Sequence, residues 1–405
     1  MRIILAHKFH KYTGGAEVFY FEVGRVLEEN GHEVAYFSTL DDENLESPYS
    51  KYFVHAPDFK SNNILGKVKA FSKVPYSFET KRKFKKLIED FKPDLIHAFG
   101  VITQISPSMF VTARKMKIPL VISMNDYKHI CPSYKLFHHG KICEDCKTKK
   151  FYKAIKNKCS HDSYSYSIAS SVESYVHSWL NIYKKNINLF LFASDFMAHK
   201  TEEYWGKETF KWGKLLNPFK IPNREPQKVR GDYGLYFGRV IEEKGVHLII
   251  EALKNNRDIP FKIVGDGPQL IELENIVKEN NLTNIEFLGS KWGDELDDVL
   301  YNAKFVVIPS VWHENFPYVI LQTFAAGVPL IGSELGGIPE LLKDNRGVLF
   351  NPSDISTLES SMKKLSNDTE YSNELGINGR KYLIETFNDQ IFYESIIKNY
   401  NIVLK

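Results

Sequence analysis

Short apolar runs alternate with amphipathic helical patterns along almost the whole chain, and the series occurs twice. In the first half the runs fall at residues 2–7, 33–38, 94–99, 119–124 and 188–193, with helical periodicity at 16–29 and 107–117. In the second half they fall at 232–237, 261–264, 284–288, 305–309, 329–332 and 347–350, with helical periodicity at 246–255 and 269–280. Strands that alternate with helices predict a parallel, doubly wound sheet covered on both faces. Two such series in 405 residues predict two α/β domains. Between them Pro218, Pro222 and Pro226 crowd one stretch of ten residues, which reads as the linker. The expected domains are therefore 1–216 and 217–387, followed by a last helical pattern over 388–405.

Charge divides along the same boundary. Residues 1–218 hold 33 Lys and Arg against 23 Asp and Glu, and the remainder holds 20 against 27. A basic half beside an acidic half suggests that one half meets an anionic surface, such as membrane headgroups, a lipid diphosphate or nucleic acid. Solvated helix faces in a Lys-rich chain explain the count equally well. The chain opens on a strand rather than a basic and apolar leader, and no uncharged apolar run is long enough to span a bilayer. A cytosolic protein is expected.

The residues that carry chemistry sit where strands give way to helices. After the first strand, Gly14-Gly15-Ala16-Glu17 opens a helix, and glycines there let backbone amides approach an anion. A plain strand-to-helix turn is the competing reading, since the G-x-G-x-x-G fingerprint is absent. In the second half Gly238-Arg239 follows a strand and Lys244-Gly245 starts the next helix, two cations on one loop that suit a diphosphate. Gly265-Asp266-Gly267-Pro268 is a tight turn after a strand. The stretch 309–317 then runs an apolar strand into His313, Glu314 and Asn315 before a helix near Pro317. An acid there can hold sugar hydroxyls while free helix amides hold a phosphate. Alternatively, Glu314 caps the helix. Gly336-Gly337-Ile338-Pro339-Glu340 completes the set.

Taken in order and at these distances, the five motifs resemble the retaining glycosyltransferases of family 4, which have the GT-B fold. The resemblance spans nearly the whole chain. It implies two Rossmann-like domains facing a cleft, with the terminal helix crossing back onto the N-terminal, acceptor-binding domain. Asn125-Asp126-Tyr127, Cys131-Pro132 and the cysteine segment are similar to a branch that builds bacterial surface polysaccharides. By that resemblance Arg239 and Lys244 bind the donor diphosphate and stabilise the leaving group. Glu314 contacts the donor sugar, flanked by the amides of Asn315 and Phe316. Gly14 and Gly15 approach the phosphates from the other domain, and Gly238 and Gly267 line the donor site. Two positions depart from the family. Gln322 stands where a second Glu usually grips the ribose, and a Gln can still bond two hydroxyls without charge. Asn125 stands where a His is common near the anomeric carbon, and an Asn cannot act as a base. Asp126 and His129 are nearby substitutes. The implied activity is retaining transfer of a hexose from a nucleoside diphosphate to a saccharide, expected on a lipid carrier at the inner membrane face. Nucleic acid is not expected as a partner, nor is a catalytic metal.

The four cysteines, Cys131, Cys143, Cys146 and Cys159, fall in one short segment with a C-x-x-C knuckle. Four thiolates suit a structural zinc site, although the spacing is not that of a standard finger, and free packed thiols explain it as well. Residues 147–158 and 78–86 interleave lysines with aromatics, as segments lying on an anionic membrane do. Two rival functions are kept. An NAD-type oxidoreductase is disfavoured by the missing fingerprint, and an inactive membrane or scaffold protein is suggested by Asn125 and Gln322.

Overall fold

The computed structural model describes residues 1–57, 76–101 and 103–404. The chain divides into two compact units: Met1–Leu136 with Glu144–Pro218 and Asp389–Lys405, and Phe219–Asn388 with Phe137–Cys143. The excursion of Phe137–Cys143 into the second unit has no counterpart in the expected span of 217–387. No helix among the described residues is long and apolar enough to cross a membrane.

In the first unit the elements are β1 (Arg2–His7), α1 (Gly15–Glu29), β2 (Glu33–Phe37), α2 (Phe78–Phe91), β3 (Leu95–Phe99), α3 (Ser108–Lys115) and β4 (Leu120–Met124). A two-stranded antiparallel ribbon follows, β5 (Phe137–His138) with β6 (Lys141–Ile142). Then come α4 (Tyr152–Lys156), α5 (Tyr164–Trp179), α6 (Ile182–Asn186), β7 (Leu189–Phe192), α7 (Asp195–Trp205) and β8 (Trp212–Lys214). The sheet has the order β2-β1-β3-β4-β7-β8, parallel throughout. A parallel bridge between Thr39 and Val54 extends it beyond β2.

Period-two alternation divides β1 between the faces. Ile4 and Ala6 join a core with Phe84 and Phe110 of α2 and α3, while Ile3 and Leu5 join another with Phe19 and Val23 of α1. The second of these cores is completed by the C-terminal helix, whose Phe392, Ile396 and Tyr400 recur every four residues. A buried polar latch fixes that helix to the sheet. His97 on β3 bonds the Tyr400 hydroxyl at 2.8 Å through Nδ1 and the Ser123 hydroxyl at 2.9 Å through Nε2. Burial pushes the His97 imidazole down to about 3, so it is neutral.

The second unit contains β9 (Gly234–Phe237), α8 (Val246–Lys254), β10 (Phe261–Val264), α9 (Leu270–Glu279), β11 (Ile285–Phe287), α10 (Asp294–Tyr301) and β12 (Phe305–Ile308). It continues through α11 (Tyr318–Ala325), β13 (Leu330–Ser333), α12 (Ile338–Leu342), β14 (Val348–Phe350), α13 (Ile355–Asn367) and α14 (Thr369–Thr386). The terminal helix α15 (Asp389–Leu404) belongs to the first unit. The second sheet has the order β11-β10-β9-β12-β13-β14, again parallel. Counted in chain order this is 3-2-1-4-5-6, the order of dinucleotide-binding folds, and its direction reverses between β9 and β12. Ligands of open parallel sheets bind outside the carboxyl ends of the strands at such a reversal.

Candidate active site

The loops after β9, β10, β12 and β13 converge at that carboxyl edge because their backbones are stitched together. Gly238 N–H donates to Val264 O at 3.0 Å, Val240 N–H to Asp266 O at 2.8 Å and Val311 N–H to Glu243 O at 3.0 Å. The close approach excludes side chains. Gly265 has φ +140°, and a Cβ on it would lie 1.8 Å from Gly238 O. Gly336 has φ +64°, and a Cβ would lie 2.2 Å from Glu314 O. The neighbouring Gly337 N–H donates to that same oxygen at 2.7 Å. The glycine turn after β13 thereby sets the position of Glu314.

Lys244 closes the short turn Glu242–Lys244, and its Nζ meets Glu314 Oε1 at 2.5 Å. The Ser310 hydroxyl donates to the same oxygen at 2.9 Å. Burial opposes ionisation of Glu314, but the charge and hydrogen bond of Lys244, helped by Ser310, outweigh it. The carboxyl is held below its usual range and is ionised at neutral pH. Helix capping does not explain Glu314, because the N-cap of α11 is Pro317 and the Glu314 carboxylate bonds Lys244 and Ser310 instead. Lys244 also stands 5.9 Å from the centre of the Trp312 ring. Arg239 is exposed and forms no ion pair among the described residues. The Tyr236 hydroxyl donates to its carbonyl at 2.7 Å, which holds the loop. One edge thus carries a free guanidinium, an ammonium and a desolvated carboxylate.

The other expected residues divide between the units. Gly238, Gly267, Asn315 and Phe316 lie on the same loops of the second unit, and Gln322 is half-buried on α11. Phe316 is buried against Phe387, ring centres 6.0 Å apart. Gly267 also has a packing role, since a Cβ there would meet Val240 O at 2.2 Å.

In the first unit Gly14 is the N-cap of α1 in an extended conformation, and Gly15 is its first residue. Asn125 follows β4 at the carboxyl edge, and its Nδ2 is buried with no hydrogen-bond partner among the described residues. A ligand hydroxyl would satisfy it. His129 is no substitute for the missing histidine. It is buried, bonds the Thr201 hydroxyl at 2.7 Å and packs edge-on to Trp205, and burial pushes its imidazole down to about 3. Asp126 accepts from Lys128 N–H at 2.9 Å and stabilises the turn.

The zinc site expected of four cysteines is not assembled among the described residues, where no three His, Cys, Asp or Glu side chains form a metal-binding group. Cys131 belongs to a main core of the first unit, 3.3 Å from the Ser133 hydroxyl. Cys146 and Cys159 pack in a small separate cluster with Phe151 and Ala154.

His7 carried no recognised signal, nor did its pairing with Glu17. His7 closes β1 and is fully buried, with Nε2 3.6 Å from Glu17 Oε1 in the first turn of α1. Burial pushes His7 down to about 3. A polar residue ending an apolar strand was the available clue.

Comparison with known proteins follows the same division. A model described as "Glycosyltransferase Family 4" matches residues 13–209, and one described as "Glycosyl transferases group 1" matches 219–382. An uncharacterized glycosyltransferase of Methanocaldococcus jannaschii is 35% identical over 163 residues, 40% of this chain and 46% of that protein. The chain thus aligns with about half the length of that relative. An uncharacterized 42.6 kDa protein in the cps region of Klebsiella pneumoniae is 25% identical over 366 residues, 86% of this chain and 90% of that one. The crystal structure of Anabaena Alr3699/HepE in complex with UDP-glucose superposes with a TM-score of 0.66 at 17% identity, covering 98% and 99% of the two chains. The motifs, the paired parallel sheets and the two matching models agree: the chain belongs to the family 4 glycosyltransferases and has the GT-B fold.

Proposed function

We propose that the protein is a retaining glycosyltransferase that moves a hexose from a nucleoside diphosphate onto a saccharide acceptor during polysaccharide biosynthesis. The observation that carries this reading is the Lys244–Glu314–Ser310 cluster beside the unpaired Arg239, at the reversal point of the second sheet. Arg239 and Lys244 meet the donor diphosphate and offset the charge that builds on the leaving phosphate. Glu314, ionised and oriented by Lys244, accepts hydrogen bonds from sugar hydroxyls near the reacting carbon. The amides of Asn315 and Phe316 flank it, and Gln322 takes the ribose. On the first unit, Asn125 Nδ2 is assigned to a sugar hydroxyl and the amides at Gly14 and Gly15 to an anion. With two cations in place, no catalytic metal is needed for the leaving group.

The Klebsiella relative's place in a cps region supports a polysaccharide product, and the UDP-glucose bound by the Anabaena protein supports a sugar nucleotide donor. The basic balance of residues 1–218 supports an acceptor on a lipid diphosphate at an anionic membrane face. Screening sugar nucleotides for hydrolysis and for thermal stabilisation tests the reading. One donor should be turned over with retained anomeric configuration, in the presence of a chelator. If no sugar nucleotide is bound or cleaved, the reading fails and the inactive scaffold replaces it.

A further inference from the structure

Helix α5 is built inside out. Its residues Ser167, Ser171, Glu173 and His177 are buried, whereas Tyr164, Ile168, Val172, Tyr175 and Trp179 are exposed by 56, 47, 50, 39 and 86%. The exposed set is spaced by 4, 4, 3 and 4 residues and so forms one continuous apolar stripe along the helix. Ser167, Ser171 and Glu173 of the buried set have partners. Ser171 donates to Phe151 O at 3.0 Å, Glu173 pairs with Lys128 at 2.9 Å, and Ser167 Oγ accepts from Ser160 N–H at 3.0 Å. The orientation is therefore fixed by specific contacts. A stripe of this kind costs solubility unless something covers it.

The surroundings identify the cover. Residues 147–158 contain six lysines and no acid. Lys149, Lys150, Lys156 and Lys158 form no ion pair among the described residues. This basic segment is joined to the stripe. Lys158 Nζ lies 4.7 Å above the Tyr164 ring, the Tyr152 N–H donates to the Tyr175 hydroxyl at 3.1 Å, and Phe151 packs on Tyr175 at 5.1 Å. Aromatic rings and aliphatic side chains bordered by unpaired lysines match the composition of helices that lie in the headgroup region of anionic bilayers. A second copy of this chain is disfavoured as the cover, because a two-fold contact over the stripe would bring the two lysine clusters together.

We propose that α5 lies flat on an anionic lipid surface, with its stripe in the acyl boundary and Lys149, Lys150, Lys156 and Lys158 on lipid phosphates. This rests on the membrane-bound acceptor proposed above and names the surface that would meet the membrane. The test uses the full chain and phosphatidylcholine vesicles with and without phosphatidylglycerol. Wild type is expected to bind the anionic vesicles, with Trp179 emission shifted to the blue and quenched by brominated acyl chains, a signal lost in Trp179→Phe. The variant Ile168→Ser/Val172→Ser/Trp179→Ser should bind at least about tenfold more weakly and still turn over donor with a soluble acceptor. If that variant binds vesicles like wild type, α5 is not the contact, and the membrane-bound acceptor survives on another surface. If wild type binds no vesicle, both ideas fall. If the variant instead turns a dimer into a monomer with vesicle binding unchanged, a second copy covers the stripe and the proposal is overturned.

Discussion

The two sheets have the same parallel design, yet burial acts differently on the titratable groups at their carboxyl edges at the point of reversal. In the second unit that edge keeps its charges: Arg239 is exposed, and Lys244 holds Glu314 ionised. In the first unit the corresponding edge buries neutral imidazoles. His7 closes β1 at about 3 and His10 follows it at about 4, both lowered chiefly by burial. A shared fold therefore sets where a ligand goes but not what the site does. Side chains on the loops decide that. The charged cluster of the second edge suits the leaving diphosphate, and the buried imidazoles of the first add no charge to it.

The largest effect should come from stripping the charged edge. Removing both cations with Arg239→Ala/Lys244→Ala should cost about 3–6 kcal/mol in transition-state stabilisation. Steady-state kinetics read it as a fall in kcat/KM for the donor, and wild-type turnover would erase the contrast between the edges. Next, Glu314→Ala should lower kcat roughly 100- to 1,000-fold with a smaller change in donor KM, because contacts near the reacting carbon strengthen in the transition state. An intact kcat would place the catalytic centre elsewhere.

Acid should separate the units more gently. His7, His97 and His129 are each lowered to about 3 in the folded first unit, against 6.5 unfolded. The unfolded chain then binds more protons below pH 6.5, so stability falls as pH drops, by about 2 kcal/mol per histidine at pH 5. Glu314 has linkage of the same sign in a more acidic window. Its stabilisation is present above 4.5 and disappears only as pH falls through its lower folded value. His247 in the second unit is also lowered by burial, which blunts the contrast. Hydrogen exchange at pH 5 should show the first unit opening before the second, and simultaneous opening would contradict this. The smallest effect is expected at Gln322. Gln322→Ala should raise donor KM about fivefold with kcat nearly unchanged, as for a uniform binding contact. Gln322→Glu should be tolerated, and its inactivation would show that the amide N–H is needed as a donor.

The second sheet was legible strand by strand, since each of its members is a short apolar run bounded by a turn. In the first sheet, β8 was not. Trp212-Gly213-Lys214 is too short and too mixed to stand out, and it is a strand because β7 pairs with it. Helix α5 was missed for the reason that makes it informative: Ser167, Ser171, Glu173 and His177 face inward and its rings outward, contrary to the usual pattern. Motif order located Lys244 and Glu314, but not that they pair with each other. That follows from the turn at Gly336, whose left-handed backbone presses on Glu314 from a different loop. Closeness of the cysteines in sequence carried no information on which apolar cluster each thiol joins. Cys131 follows β4 into the core, while Cys146 and Cys159 stay with α4.

The last helix has a consequence for biosynthesis. Phe392, Ile396 and Tyr400 complete a core whose other members, from Ile3 to Leu215, emerge from the ribosome far earlier. The second unit contains none of these last residues and can finish its own core once Asn388 has emerged. The half synthesised first is thus closed last, when Tyr400 reaches His97. Until then the groove on α1 and the sheet awaits its helix, a natural seat for a chaperone. A released chain truncated after Asn388 should therefore resist protease in its second half and be cut in its first.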